Sequence, residues 1–160
     1  MLKQRIASAL VLGTIAILAF YLGGIPFGLL LTILSFLSAN EYRNLLSNAQ
    51  LDLHRVFVPL CTLVALTGLG QQPQCLFVSL LVGTLLILSL SSIQKNVSAA
   101  AFGVLGTVYI GGFWGVLGLL RTSADGSQWA FLVLFATWAT DIAAFFGGKA
   151  WGKHKLAPSI

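Results

Sequence analysis

Residues 129–160 read WAFLVLFATWATDIAAFFGGKAWGKHKLAPSI, and this stretch decides the class of the fold. From Trp129 to Phe146 the only charge is Asp141. A glycine pair follows, and then Lys149, Lys153, His154 and Lys155 crowd into seven positions. A carboxylate at the centre of a membrane helix costs about 2.5–3.5 kcal/mol on insertion scales, so an ionisable group placed there marks a site or a pathway by default. Asp141 precedes Phe146 by five residues, roughly 7 Å at helical rise, which puts it near one face of the bilayer. Thr137, Asp141, Ala144 and Gly148 share one helical face, small and polar, which suits close approach of a helix or a ligand. The plainer alternative makes Asp141 a structural residue bonded to a neighbouring helix.

The basic segment has two readings of equal weight on composition. Glycines admit an anion close to the backbone, and lysines hold phosphate as point charges. The same residues also serve as a positive-inside anchor for lipid headgroups. Gly147, Gly152 and Lys153 match part of a P-loop, but His154 stands where the magnesium-binding hydroxyl belongs and no strand precedes it, so that reading is rejected.

Working outward, the composition agrees with the stretch. Hydrophobic residues make up 58% and charged residues 8% of the 160, against ~45–50% and ~25% for soluble domains. So few charges cannot cover a soluble surface. The fold class expected is all-α, a polytopic integral membrane protein with about six transmembrane helices in a single region, 1–160. The spans fall at about 6–22, 25–41, 56–69, 75–93, 97–120 and 129–147. The first mimics a signal peptide, but seventeen apolar residues exceed a ~7–15-residue signal core, and it reads as an uncleaved span. The net charge of +5 is then a topology signal, and no nucleic acid is expected as a partner.

Counting cations tests the six-span reading. With the amino terminus inside, Lys3, Arg5, Arg43, Arg55, Lys95, Lys149, Lys153 and Lys155 lie inside and Arg121 alone lies outside. This bias places both ends, and Asp141, on the cytoplasmic side of a cell membrane. The fifth run carries Gly103, Gly106, Gly111, Gly112, Gly115 and Gly118. Its Gly111–Gly115 pair suits close helix packing, against the Asp141 helix or against a second copy in a homodimer. Cys61 and Cys75 read as inert buried thiols, His54 as a solvated group, and Glu41 as a helix-end residue near Arg43. Asn96-Val97-Ser98 has a glycosylation pattern, discounted because it lies on the cytoplasmic side.

The strings YIGGFWGVLGLLR from Tyr109 and TDIAAFFGGKAWGKHKLAP from Thr140 resemble the phosphatidate cytidylyltransferase, or CDP-diacylglycerol synthase, family. The specific part is TD-x-x-A-[YF]-x-x-G-[RK]-x-x-G-K-H-K-L-x-P. Weaker likeness at Asn40-Glu41-Tyr42-Arg43 extends it over most of the chain. Lys149 and Phe145 stand where the family often has Arg and Tyr. The resemblance implies transfer of a cytidylyl group from CTP to phosphatidate with release of pyrophosphate, using magnesium. With that substrate, Asp141 is the candidate catalytic and metal-binding carboxylate, since carboxylate suits magnesium, and Lys149, Lys153, His154 and Lys155 are candidate contacts to the CTP phosphates, with membrane lipids around them. The family continues past Ser159-Ile160 with a lysine-rich run, further helices and an acidic signature. The chain therefore reads as the first part of a longer enzyme, inactive by itself. The rival readings are a CTP-dependent lipid kinase, a transporter using Asp141 as an ion relay, and a non-catalytic scaffold.

Overall fold

Apolar runs punctuated by glycine and proline become six helices in the computed structural model, which describes residues 2–93 and 96–152. Among the described residues every regular element is helical: α1 Leu2–Leu22, α2 Gly24–Asn48, α3 Phe57–Gly70, α4 Pro73–Ile93, α5 Val97–Thr122 and α6 Gly126–Trp151. Four of them, α2, α4, α5 and α6, are long and apolar enough to cross a membrane. Two shorter apolar helices, Leu10–Leu22 and α3, accompany them. Large exposed side chains such as Leu81, Val82 and Leu85 on α4 suit lipid as the surrounding solvent. The protein is an all-α polytopic membrane protein.

Local chemistry sets the ends. Gly23 (φ 66°) and Gly24 (φ 48°) reverse the chain between α1 and α2 in a backbone region that glycine alone enters cheaply. Pro73 opens α4, where a missing N–H costs nothing. Asn96 caps α5, its Oδ1 accepting from the Ala99 N–H at 2.9 Å. The discounted glycosylation pattern thus holds a helix cap. α3 tightens to a 3-10 turn at Gly68–Gly70, and α5 widens to a π-helical stretch at Thr107–Gly112.

Short α3 sits at the centre. Phe57, Val58, Cys61, Thr62, Val64 and Ala65 are all buried. Protein, rather than lipid, surrounds most of this helix, as a 10–14-residue apolar segment suggests. Its neighbours are α2, α4 and α5. The Thr67 and Ser79 hydroxyls join α3 to α4 at 2.8 Å.

The glycine-rich face of α5 finds its partner here. A β-carbon at Gly68 would overlap the backbone of Gly115, with the Gly115 carbonyl carbon at 2.7 Å. One at Gly111 would lie 3.1 Å from the Val64 side chain, and one at Gly118 3.3 Å from the backbone of Gly68. The close approach expected of this helix therefore occurs, but on α3 rather than on the Asp141 helix. Small residues permit contact without naming the partner, and α3 fits because its own Gly68 removes the opposing side chain.

Two helices run past the expected ends. α2 continues through Glu41 and Arg43 to Asn48, so Glu41 is not a helix-end residue. The Tyr42 hydroxyl ties this part of α2 to α5 by donating to the Phe102 carbonyl at 2.9 Å. α6 continues through Gly147 and Gly148 to Trp151. A glycine costs a helix interior only about 1 kcal/mol, too little to stop it without a competing structure.

Candidate active-site face on the last helix

α6 starts in contact with its neighbours and ends exposed among the described residues. Gly126 and Ala130 are its buried residues. A β-carbon at Gly126 would overlap the Leu120 and Arg121 carbonyls, so the turn after α5 requires glycine. Beyond Phe135 the exposure becomes nearly continuous. Trp138 reaches toward α1, its ring 3.7 Å from where a β-carbon on Gly13 would lie.

The small face expected at this end is present. Thr137, Asp141, Ala144 and Gly148 are all exposed. The Thr137 and Thr140 hydroxyls donate to their own helix, to the Val133 and Ala136 carbonyls at 2.8 and 2.7 Å. Their protons are spent locally, which leaves the carboxylate as the chemically distinct group of this face. A β-carbon at Gly148 would meet nothing within 4 Å. An incoming anion therefore meets bare backbone one to two turns beyond Asp141.

Lys149 is exposed in the last turn of α6, where its charge complements the helix dipole. It lies about 12 Å along the axis from Asp141 and about 80° around it. One helix thus presents a carboxylate, a bare glycine step and a cation in order. Gly152 closes the helix, its N–H donating to the Gly148 carbonyl at 3.0 Å. Lys153, His154 and Lys155 lie outside the described residues.

A metal bound at this face would find one protein carboxylate. Among the described residues no three His, Cys, Asp or Glu side chains gather into a metal-binding group. One carboxylate is compatible with magnesium, which often takes one or two carboxylates and fills its octahedron with water and substrate phosphates.

Elsewhere, both cysteines are free thiols; Cys61 is buried as expected, but Cys75 is exposed, because it sits in the first turn of α4 at the end of the bundle. His54 is half-buried rather than solvated, and its Nδ1 accepts from the Val56 N–H at 3.2 Å. The residue that sequence reasoning passed over is Arg121. Its Nε donates to the Phe20 carbonyl at 2.9 Å and its Nη2 to the Tyr21 carbonyl at 3.3 Å. Arg121 therefore satisfies the last carbonyls of α1, where a cation also complements the helix dipole. The signal was its isolation as the one cation assigned to the outer side.

The model of the cytidylyltransferase family matches residues 3–160. A phosphatidate cytidylyltransferase of Pseudomonas aeruginosa is 33% identical over 180 residues, covering 100% of this chain and 62% of that protein. One of Brucella suis is 32% identical over 162 residues, covering 98% of the chain and 58% of that protein. One of Staphylococcus saprophyticus is 32% identical over 85 residues, covering 51% of the chain and 32% of that protein. No solved structure matches. The chain spans about three fifths of the length of the first two relatives. With a match along nearly its whole length, the chain belongs to the cytidylyltransferase family.

Proposed function

We propose that this chain carries part of a phosphatidate cytidylyltransferase. The phosphate oxygen of phosphatidate attacks the α-phosphorus of CTP, the bond to the β-phosphate oxygen breaks, and CDP-diacylglycerol and pyrophosphate result. The observation that carries the reading is the family match over residues 3–160, together with relatives of that name about one third identical along the chain.

The open face of α6 supports it chemically. Nucleotidyl transfer needs charge neutralisation on a triphosphate and cations for the leaving pyrophosphate. Magnesium bound with the nucleotide would supply that neutralisation, and Asp141 offers it one carboxylate. Lys149, with Lys153, His154 and Lys155 beyond it, supplies cations for the phosphates. Gly147 and Gly148 keep the backbone low between carboxylate and cations. The cation count supports cytoplasmic ends, where CTP is available, and phosphatidate then arrives laterally from the inner leaflet.

The test labels CTP separately at its α- and γ-phosphates and incubates each with phosphatidate and the full-length protein in mixed micelles. Cytidylyl transfer puts the α-label into lipid and leaves the γ-label in pyrophosphate. Label from the γ-position in lipid identifies a CTP-dependent kinase instead and overturns the proposal.

A further inference from the structure

At the end of the bundle opposite Asp141, α1 finishes, α2 begins, and α3 and α5 finish. Between them lies a groove of about 740 Å³, within the ~300–1,000 Å³ of small-ligand sites. Its mouth is polar, formed by Gln71, Arg121, Thr122 and Ser123, and its wall is largely apolar, with Ile25, Leu29, Leu66 and Leu69 along it and one hydroxyl, that of Thr32, which donates to the Gly28 carbonyl at 2.7 Å. With the Thr32 hydroxyl spent on its own helix, the side-chain donors left to a ligand gather at the mouth, as the headgroup of an amphiphile requires.

The donors left at the mouth specify the headgroup. The Thr122 hydroxyl is spent on the Gly118 and Leu119 carbonyls, and the Ser123 hydroxyl on the Leu120 carbonyl at 2.7 Å. Arg121 has five N–H donors, of which its bonds to Phe20 and Tyr21 use two. Three remain, alongside the exposed Gln71 side-chain amide. Asp125, in the following turn, is not part of the lining. The mouth thus offers a guanidinium and an amide to a ligand, which suits an acceptor-rich anion and disfavours a cation. Arg121 stays in place because the α1 carbonyls hold it, so little side-chain entropy is lost when an anion arrives.

We propose that this groove is a phospholipid site, with the lipid phosphate at Arg121 and Gln71 and one acyl chain lying in the groove over the packed α2 and α3. The site is separate from the Asp141 face: Asp141 is fifteen residues into α6 from Gly126, about 22 Å along that helix. It does not depend on the proposed reaction.

The test delipidates the full-length protein in mild detergent and follows binding of dioleoyl phosphatidylglycerol by native mass spectrometry. Saturable binding of one lipid is expected, with dioleoylglycerol, which lacks the phosphate, at least tenfold weaker. Gln71→Glu puts a negative charge at the mouth without touching the Arg121 bonds to α1, and should weaken phosphatidylglycerol at least fivefold. Leu66→Trp should do the same by filling the wall, while Leu81→Trp on the lipid-exposed side of α4 should leave binding unchanged. Non-saturable binding, or equal binding by wild type and Gln71→Glu, overturns the site as a general lipid shell. Equal binding of soluble glycerol phosphate overturns the acyl wall.

Discussion

α3 and α6 are both apolar helices, and they have opposite surroundings. α3 is short, central and enclosed, with its glycine turn pressed against the glycines of α5. α6 is nearly twice as long, and its second half faces away from every other described helix except for the approach of Trp138 to α1. The first spends its sequence on packing: backbone meets backbone, and side chains are small where the chains cross. The second spends its sequence on a face that packs no described side chain of another helix, with a carboxylate, a bare glycine step and a lysine along it. Burial marks the scaffold of this protein, and unpartnered polarity marks its candidate site.

The largest effect expected is at the enclosed helix. Gly68→Leu forces a side chain into the Gly115 backbone, a contact that no rotamer relieves, and should cost at least ~3 kcal/mol or prevent recovery of folded protein. Gly103→Leu should also destabilise, because a β-carbon there meets Ile87. Gly148→Leu on α6 should stay within about 0.5 kcal/mol, as at an ordinary surface position. Thermal unfolding in detergent checks all three. A large loss from Gly148→Leu would mean that the α6 face is already packed, and the contrast between the helices would fail.

Next comes Asp141→Asn, which keeps size and hydrogen bonding and removes charge. Turnover in the full-length protein should fall at least 100-fold, about 2.7 kcal/mol of transition-state stabilisation, with unfolding temperature unchanged. A carboxylate with a purely structural role gives the reverse pattern, retained turnover with altered stability. Conversion of CTP near the wild-type rate would remove Asp141 from the site.

A smaller effect is expected at the α1–α2 turn. Arg121→Gln removes the cation at the end of α1 and should lower stability by about 1–2 kcal/mol. Gly23→Ala should match it, since the new methyl group overlaps the guanidinium in a left-handed backbone. If the two losses add fully in the double variant, cap and turn are independent, because coupled neighbours depart from additivity.

These contrasts show what could be read in advance. Hydrophobic runs locate helices because lipid demands them, so the described helices lie where apolar residues cluster, and four of them are long and apolar enough to cross a membrane. Asp141 stands out in the sequence because a carboxylate amid apolar residues is costly to insert, and it lies exposed on α6. The partner of the α5 glycines was not legible, since a small residue records that something comes close and not what. Nor was the continuation of α6 through Gly147 and Gly148, because glycine is a break only when another conformation competes. Arg121 was hidden by distance: its acceptors lie 101 and 100 residues earlier. Seen as one charge in a count, it was an exception to a rule. In three dimensions it is the end of another helix.

The smallest effect expected separates the two ends of the site face. Lys149 is exposed at the last turn of α6, about 12 Å along the axis from Asp141. On the proposed reaction, a cation so placed would attract the phosphates of CTP before and during the chemical step about equally, which is uniform binding. Lys149→Ala should therefore raise the CTP KM about 3–10-fold and leave kcat within about twofold. Lys149→Arg should restore KM, because a point charge is all the position supplies. Salt sharpens the test. An exposed charge is screened over about 10 Å at 0.1 M ionic strength and about 3 Å at 1 M, so added salt should raise the wild-type KM toward that of Lys149→Ala. A fall in kcat with KM unchanged would give Lys149 a contact made only in the transition state. It would then belong with Asp141 in the chemistry, and the far end of α6 would bend closer to the reacting phosphate than its helical spacing implies.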